Sequence, residues 1–455
     1  MPSRKGENIL SIKEIKEALA LGKTTERELF DECGKRAENS RLNAYITLTG
    51  YEKGKDGPLS GIPFAVKDNL TTRGIRTTAG SKALYDYVPF YDAFAVKKLK
   101  EAGAVILGKT NMDEFAMGST GETSFFGAVK NPIDEKRVAG GSSSGSAAAV
   151  AEKSAVFALG TDTGGSVRLP AAFCSVVGLV PTYSLVSRYG LIAHASSLDR
   201  IGITAGCVSD AAEVLGVISA HDEADSSNSE KEYIYDEEKI ASGIKNMRVG
   251  LDHELLMTAG KEQAAGVLAA ADALGRRGAT IVPVRIGLIR EAMAAYRVIS
   301  SAEASSNLLR YDGVRYGLAE DGQGYEEMIE NTKEACLGAE VKKRIVAGCY
   351  FTSAGRKYLT GALNVRNAVK NEFSRLFSGV DVLLLPTAKS LPPLIGEKGD
   401  PDSDIFTVSS SLSGNPAVTV PAGDMVGVQF IGRHFAEDDI LRAAFAAEEA
   451  SGYGV

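Results

Sequence analysis

One stretch, residues 138–170, constrains this chain more than any other: VAGGSSSGSAAAVAEKSAVFALGTDTGGSVRLP. A glycine pair precedes a serine twice, at Gly140-Gly141-Ser142 and Gly164-Gly165-Ser166. Residues 147–151 are apolar and follow the first turn at once, so the Gly/Ser run opens a buried helix, although such a run taken alone also suits a flexible loop. Residues 156–160 form a short apolar run that predicts a buried strand. That strand delivers residues 161–166 at its carboxyl end, where open α/β sheets hold ligands.

The same texture continues on either side. Short apolar runs at 62–66, 104–108, 249–251, 380–385, 418–421 and 426–431 predict strands. Residues 93–102, 262–274 and 437–450 predict helices, and the alternation predicts an α/β sheet with some parallel strands. Residues 11–37 have helical periodicity, with a capping box at Thr25 and Glu28. Residues 222–239 are polar and acidic, suiting a surface loop or a partner contact, and 392–404 predict a loop. With 44% hydrophobic residues and neither an internal repeat nor a long linker, residues 1–455 are expected to form a single domain.

The net charge of −7 makes the chain a poor autonomous phosphate binder, so any nucleic-acid contact is expected through a partner or a local patch. Five cysteines, at 33, 174, 207, 336 and 349, are scattered and form no C-x-x-C pair, which predicts reduced thiols. The four histidines, His194, His221, His253 and His434, are far apart and predict no zinc site. Neither a leader pattern nor a run of about 18 apolar residues is seen. A cytoplasmic protein is therefore expected.

The residue types then point to chemistry. Two glycines before Ser166 permit a tight turn that exposes the successive N–H groups of Thr163, Gly164, Gly165 and Ser166, a nest for an oxyanion. One such donor is commonly worth about 3–4 kcal/mol of transition-state stabilisation. A serine hydroxyl needs a base to become a nucleophile. His194 is the only histidine near a plausible site segment. Lys67 is the other candidate, since the apolar run 62–66 beside it would desolvate its amine and lower its pKa. The competing possibility is an ion pair between Lys67 and Asp68. Serines on glycine turns with a desolvated lysine suit acyl transfer. The run at 140–146 is not a P-loop, because no Lys-Ser/Thr follows Gly145.

These residues resemble the amidase signature family, densely over 61–210 and patchily to the C-terminus. The resemblance implies a single large mixed β-sheet with helices on both faces. It also implies a serine–cis-serine–lysine triad, here Ser166, Ser142 and Lys67, with the serines 24 positions apart and the lysine in a V-K-D-N motif. The segments 109–118, 187–199, 302–317, 404–408 and 427–432 further resemble the A-type subunits of glutamine-dependent aspartyl/glutamyl-tRNA amidotransferases. That likeness implies glutamine as substrate, its α-carboxylate on Arg344, its α-amino group on Asp404, and Tyr296 assisting. It implies a heterotrimer completed by two partners, a tRNA-binding B-type chain and a small C-type chain. No metal or cofactor is expected here, with ATP and Mg²⁺ in the partner. A standalone amidase and a catalytically silent scaffold are the alternatives. The departures from the family pattern are Ser144 where glycine is usual, Leu169 where glutamine is common, Val180 and Ser184 for a lysine and a glycine, and a shortened 421–428.

Overall fold

The computed structural model describes residues 11–452. Eleven strands form one mixed sheet: β1 (Tyr45–Leu48), β2 (Pro63–Lys67), β3 (Val105–Thr110), β4 (Phe157–Asp162), β5 (Val177–Val180), β6 (Arg200–Ala205), β7 (Arg248–Leu251), β8 (Thr280–Pro283), β9 (Val382–Pro386), β10 (Ala417–Gly423) and β11 (Val426–Gly432). Their spatial order is β1-β3-β2-β4-β6-β5-β10-β11-β9-β7-β8. β2 runs parallel to both β3 and β4, β7 runs parallel to both β8 and β9, and the central strands pair antiparallel.

The apolar runs are continuous because both sheet faces are covered. In β9, Val382 and Leu384 join one core, packed with Val214, Leu274 and Leu441 from helices on one face, while Leu383 and Leu385 join the other, with Ile299, Phe373 and Leu412. β2 alternates in the same way: Phe64 and Val66 enter the first core, and Ala65 packs against the alanines of the helix Ser144–Ala151. Lys67, two residues beyond Ala65, therefore leaves the strand on the side of that helix.

The strands expected from apolar runs are all present, with ends shifted by at most two residues. The N-terminal segment is two helices, Ile12–Ala20 and Glu26–Asn39, because Gly22 at φ 64 ends one and the Thr25–Glu28 capping box starts the next. Beyond the expected elements lie β1, β5, β6 and β8 and the long helices Ile289–Asn307, Ala339–Thr352 and Arg356–Gly379. The shortened stretch 421–428 is a tight hairpin between β10 and β11. All five cysteines are free. Among the described residues no helix is long and apolar enough to cross a membrane.

Candidate active site

Lys67, the last residue of β2, is fully buried. Its Nζ lies 2.8 Å from Ser142 Oγ, 2.8 Å from Ser143 Oγ and 2.9 Å from Thr161 Oγ1. No carboxylate touches it among the described residues. Burial lowers its pKa to about 7, against the through-space pull of Asp113, Asp162 and Asp199. The alternative pairing with Asp68 is absent: Asp68 lies 3.1 Å from the buried amine of Lys109 and accepts the Thr78 N–H at 2.8 Å. His194 is also buried, but its ring nitrogens meet no hydrogen-bond partner and burial holds its pKa well below the usual imidazole range. It is therefore not paired with Ser166.

The two glycine–serine turns meet above this amine. The Gly141–Ser142 peptide is cis. The Ser143 N–H donates to the Ser166 carbonyl at 3.0 Å, and Ser143 Oγ donates to the Thr161 carbonyl at 3.1 Å. Ser166 Oγ carries no hydrogen bond among the described residues, so the step from Ser142 to Ser166 is not closed by one here. Nor do the N–H groups of Thr163, Gly164, Gly165 and Ser166 donate to any described residue. Among the described residues they form a row of four free N–H donors. Gly165 sits at φ +146, a region that favours glycine, and a Cβ there would strike the Thr407 hydroxyl.

The turn is fixed from behind. Asp162 Oδ2 accepts the Val167 N–H at 3.1 Å, and Asp162 Oδ1 accepts Arg168 Nη2 at 3.0 Å. Arg168 also donates to Ser410 Oγ at 2.7 Å, Ser411 Oγ at 2.8 Å and Gln429 Oε1 at 3.1 Å. Despite burial, Arg168 and Arg200 hold the Asp162 carboxyl down at about 2. Thr163 Oγ1 donates to Asp199 at 2.7 Å, and burial raises that carboxyl to about 7. Among the described residues no group of three or more His, Cys, Asp or Glu side chains is placed to hold a metal ion.

Ser166 opens into a cavity of about 310 Å³ whose walls include Gly165, Leu169, Tyr296, Arg344 and Asp404. Three residues from distant helices and loops thus share one cavity with the Gly165-Ser166 turn, while Lys67 and Ser142 lie buried behind it. Arg344 Nε donates to Glu340 Oε1 at 2.9 Å, leaving its two Nη groups without a described partner. Burial raises the Asp404 carboxyl to about 6, with Arg344 and Arg297 opposing. A Cβ on Gly164 would lie 2.5 Å from the Tyr296 ring, so that glycine lets the phenol approach the turn. Sequence reasoning missed Ser143, Thr161, Glu340 and Thr407. Only Glu340 carried a local signal, its i, i+4 spacing to Arg344.

The departures are explained in part. Ser144 starts the helix Ser144–Ala151 with a buried, unpartnered hydroxyl. Leu169 packs with Phe173 and Ala388 in the cavity wall. Ser184 adopts φ 82, which accounts for glycine being common there.

Comparison with known proteins gives a consistent result. The Amidase family model matches residues 21–441. The A-type subunit of glutamyl-tRNA(Gln) amidotransferase from Halothermothrix orenii is 45% identical over 462 residues, covering 97% of each chain. Its counterpart from Halobacterium salinarum is 48% identical, covering 90% of this chain and 100% of its own. The crystal structure of the counterpart from Thermotoga maritima superposes with a TM-score of 0.84 at 39% identity, over 98% of this chain and 97% of that one. Peptide amidase from Stenotrophomonas maltophilia superposes with a TM-score of 0.83 at 28% identity, over 98% and 97%.

Proposed function

The chain belongs to the amidase family, and on that premise we propose that it is the glutamine-hydrolysing A-type subunit of a tRNA-dependent amidotransferase. The observation that carries the mechanism is the dry amine of Lys67, drawn to about 7 and 2.8 Å from the Ser142 hydroxyl. At neutral pH roughly half of such amines are unprotonated and able to accept a proton. Lys67 takes the Ser142 proton as Ser142 takes that of Ser166, whose Oγ attacks the side-chain carbonyl carbon of glutamine. The N–H row from Thr163 to Ser166 receives the oxyanion. Return of the proton through Ser142 expels ammonia and leaves a glutamyl ester on Ser166. Water then attacks by the same relay and releases glutamate.

The cavity supports glutamine as the amide. A zwitterionic head needs one fixed cation and one fixed anion, and Arg344 and Asp404 face the same space. Tyr296 abuts Gly164 of the turn and lines the same cavity as these charges. The ammonia would pass to a B-type partner, where ATP and Mg²⁺ activate the acceptor on Glu-tRNA or Asp-tRNA, with a small C-type chain completing the complex. No cofactor is assigned to this chain, and the cytoplasm is the expected compartment.

The test is co-expression with candidate B-type and C-type partners, followed by glutamine-dependent amidation of Glu-tRNA(Gln) and Asp-tRNA(Asn). A fluorophosphonate should label Ser166 in the assembled complex, and Ser166→Ala should abolish both labelling and glutamine use. Fast hydrolysis of simple amides with glutamine ignored would instead assign a standalone amidase. Absence of labelling together with absence of glutaminase activity would assign a scaffold.

A further inference from the structure

We propose that Arg297 is a positioning residue for recognition of the substrate's α-amino group, acting through Asp404. The inference rests on the glutamine assignment above. Arg297 follows Tyr296 on the helix Ile289–Asn307. Its Nη2 donates to the Pro401 carbonyl at 2.6 Å and to Asp402 Oδ1 at 2.8 Å. The segment so gripped carries Asp404 two residues later. At its other end, Thr407 Oγ1 donates to the Gly164 carbonyl at 2.5 Å and to the Asp404 carbonyl at 2.8 Å. Asp404 therefore hangs between two clamps, one on the helix that bears Tyr296 and one on the nucleophile turn. No described side chain bonds its carboxylate, so the backbone on either side sets where that anion points.

Arg297 and Met293 also form the partition to a second cavity of about 390 Å³, whose walls include Lys389, Asp402 and Ile405. Without the guanidinium, residues 401–404 would have room to relax into that space. The pair is half exposed, with side-chain exposures of 50% for Arg297 and 40% for Asp402. Exposed ion pairs of this kind add little to folding stability. The clamp therefore orders a loop without holding the fold together.

The experiment uses the assembled amidotransferase, its glutaminase step followed by ammonia release, and two amides. Glutamine engages Asp404 through its ammonium group. Glutaramate, the same molecule without the α-amino group, does not. With Arg297→Ala, the glutamine KM should rise about tenfold with kcat changed less than about twofold. The glutaramate KM and the thermal midpoint should stay at their wild-type values. Asp402→Asn should shift the glutamine KM in the same direction, and Arg297→Lys should restore part of the loss. An equal rise in both KM values would overturn the proposal, since Arg297 would then touch the shared part of the substrate or hold the cavity generally. An unchanged glutamine KM would overturn it as well. A wild-type enzyme that ignores glutamine overturns the parent assignment instead, and is read before any variant.

Discussion

Replacing Lys67 by methionine should abolish turnover and leave the protein more stable. The amine is fully buried, and burial lowers its pKa from 10.5 to about 7. At neutral pH that displacement costs the fold about 4 kcal/mol relative to an unperturbed lysine. Methionine fills similar volume and has no charge to desolvate. The loss is small on the other side. Ser143 Oγ keeps the Thr161 carbonyl and Thr161 Oγ1 keeps the Asn69 amide, so only the Ser142 hydroxyl is left unpaired. One unpaired buried hydroxyl costs about 1–3 kcal/mol, which leaves a net gain of about 2 kcal/mol. For a chain of 455 residues the unfolding entropy is ~1 kcal/mol/K, so the thermal midpoint should rise by about 2 °C. Ammonia release from glutamine should fall by about 10²–10⁴-fold with the base removed. The sign can be checked by pH. A lysine whose folded pKa is lowered binds fewer protons in the fold than in the unfolded chain, so wild-type stability should climb between about pH 7 and 10.5, and Lys67→Met should lose that climb. A variant that is less stable than wild type, or that keeps more than about a tenth of wild-type turnover, would refute the dry-amine argument.

Saturating glutaminase rates should rise about tenfold from pH 6 to pH 8 as Lys67 loses its proton, and a flat profile across that range excludes it as the titrating base. Gly164→Ala should push the Tyr296 ring off the turn and raise the glutamine KM about tenfold or more, measured by initial rates; an unchanged KM removes Tyr296 from the site. Burial raises the carboxyls of Asp210 to about 7 and Glu448 to about 8, where they accept the N–H groups of Ile12 and Val208. Both bind protons more tightly in the fold than unfolded, so stability should fall as pH rises from about 4 to 8 through these groups. Asp210→Asn should blunt the fall in melting curves taken across that range.

Some of this was readable from residues alone, and the physical reason is burial on both faces. A strand covered on both sides is apolar at most positions, and β2, β4, β9 and β11 announce themselves as runs. β6 does not. Its sequence RIGITA opens on an arginine and contains glycine and threonine, yet it is wholly buried, because Arg200 donates to the Pro181 and Asn415 carbonyls and to Ser411 Oγ and pairs with Asp162. No local pattern foretells that partner. The site divides similarly. Lys67 and the serines lie in dense motifs, which is why family likeness singled them out. Ser143 was overlooked as one serine among several in a Gly/Ser run, though it shares the Lys67 amine at the same distance as Ser142. Glu340 and Thr407 matter because a helix and a loop more than 170 residues beyond the turn fold back onto its cavity.

The guanidinium of Arg168 has a further consequence. Its acceptors at Thr407, Ser410, Ser411 and Gln429 come from the far end of the chain. Residues 61–210 hold Lys67, Ser142 and Ser166, but they do not make a transplantable module. A fragment ending before residue 400 would keep its chemical alphabet intact and lose the brace behind the Gly164–Ser166 turn.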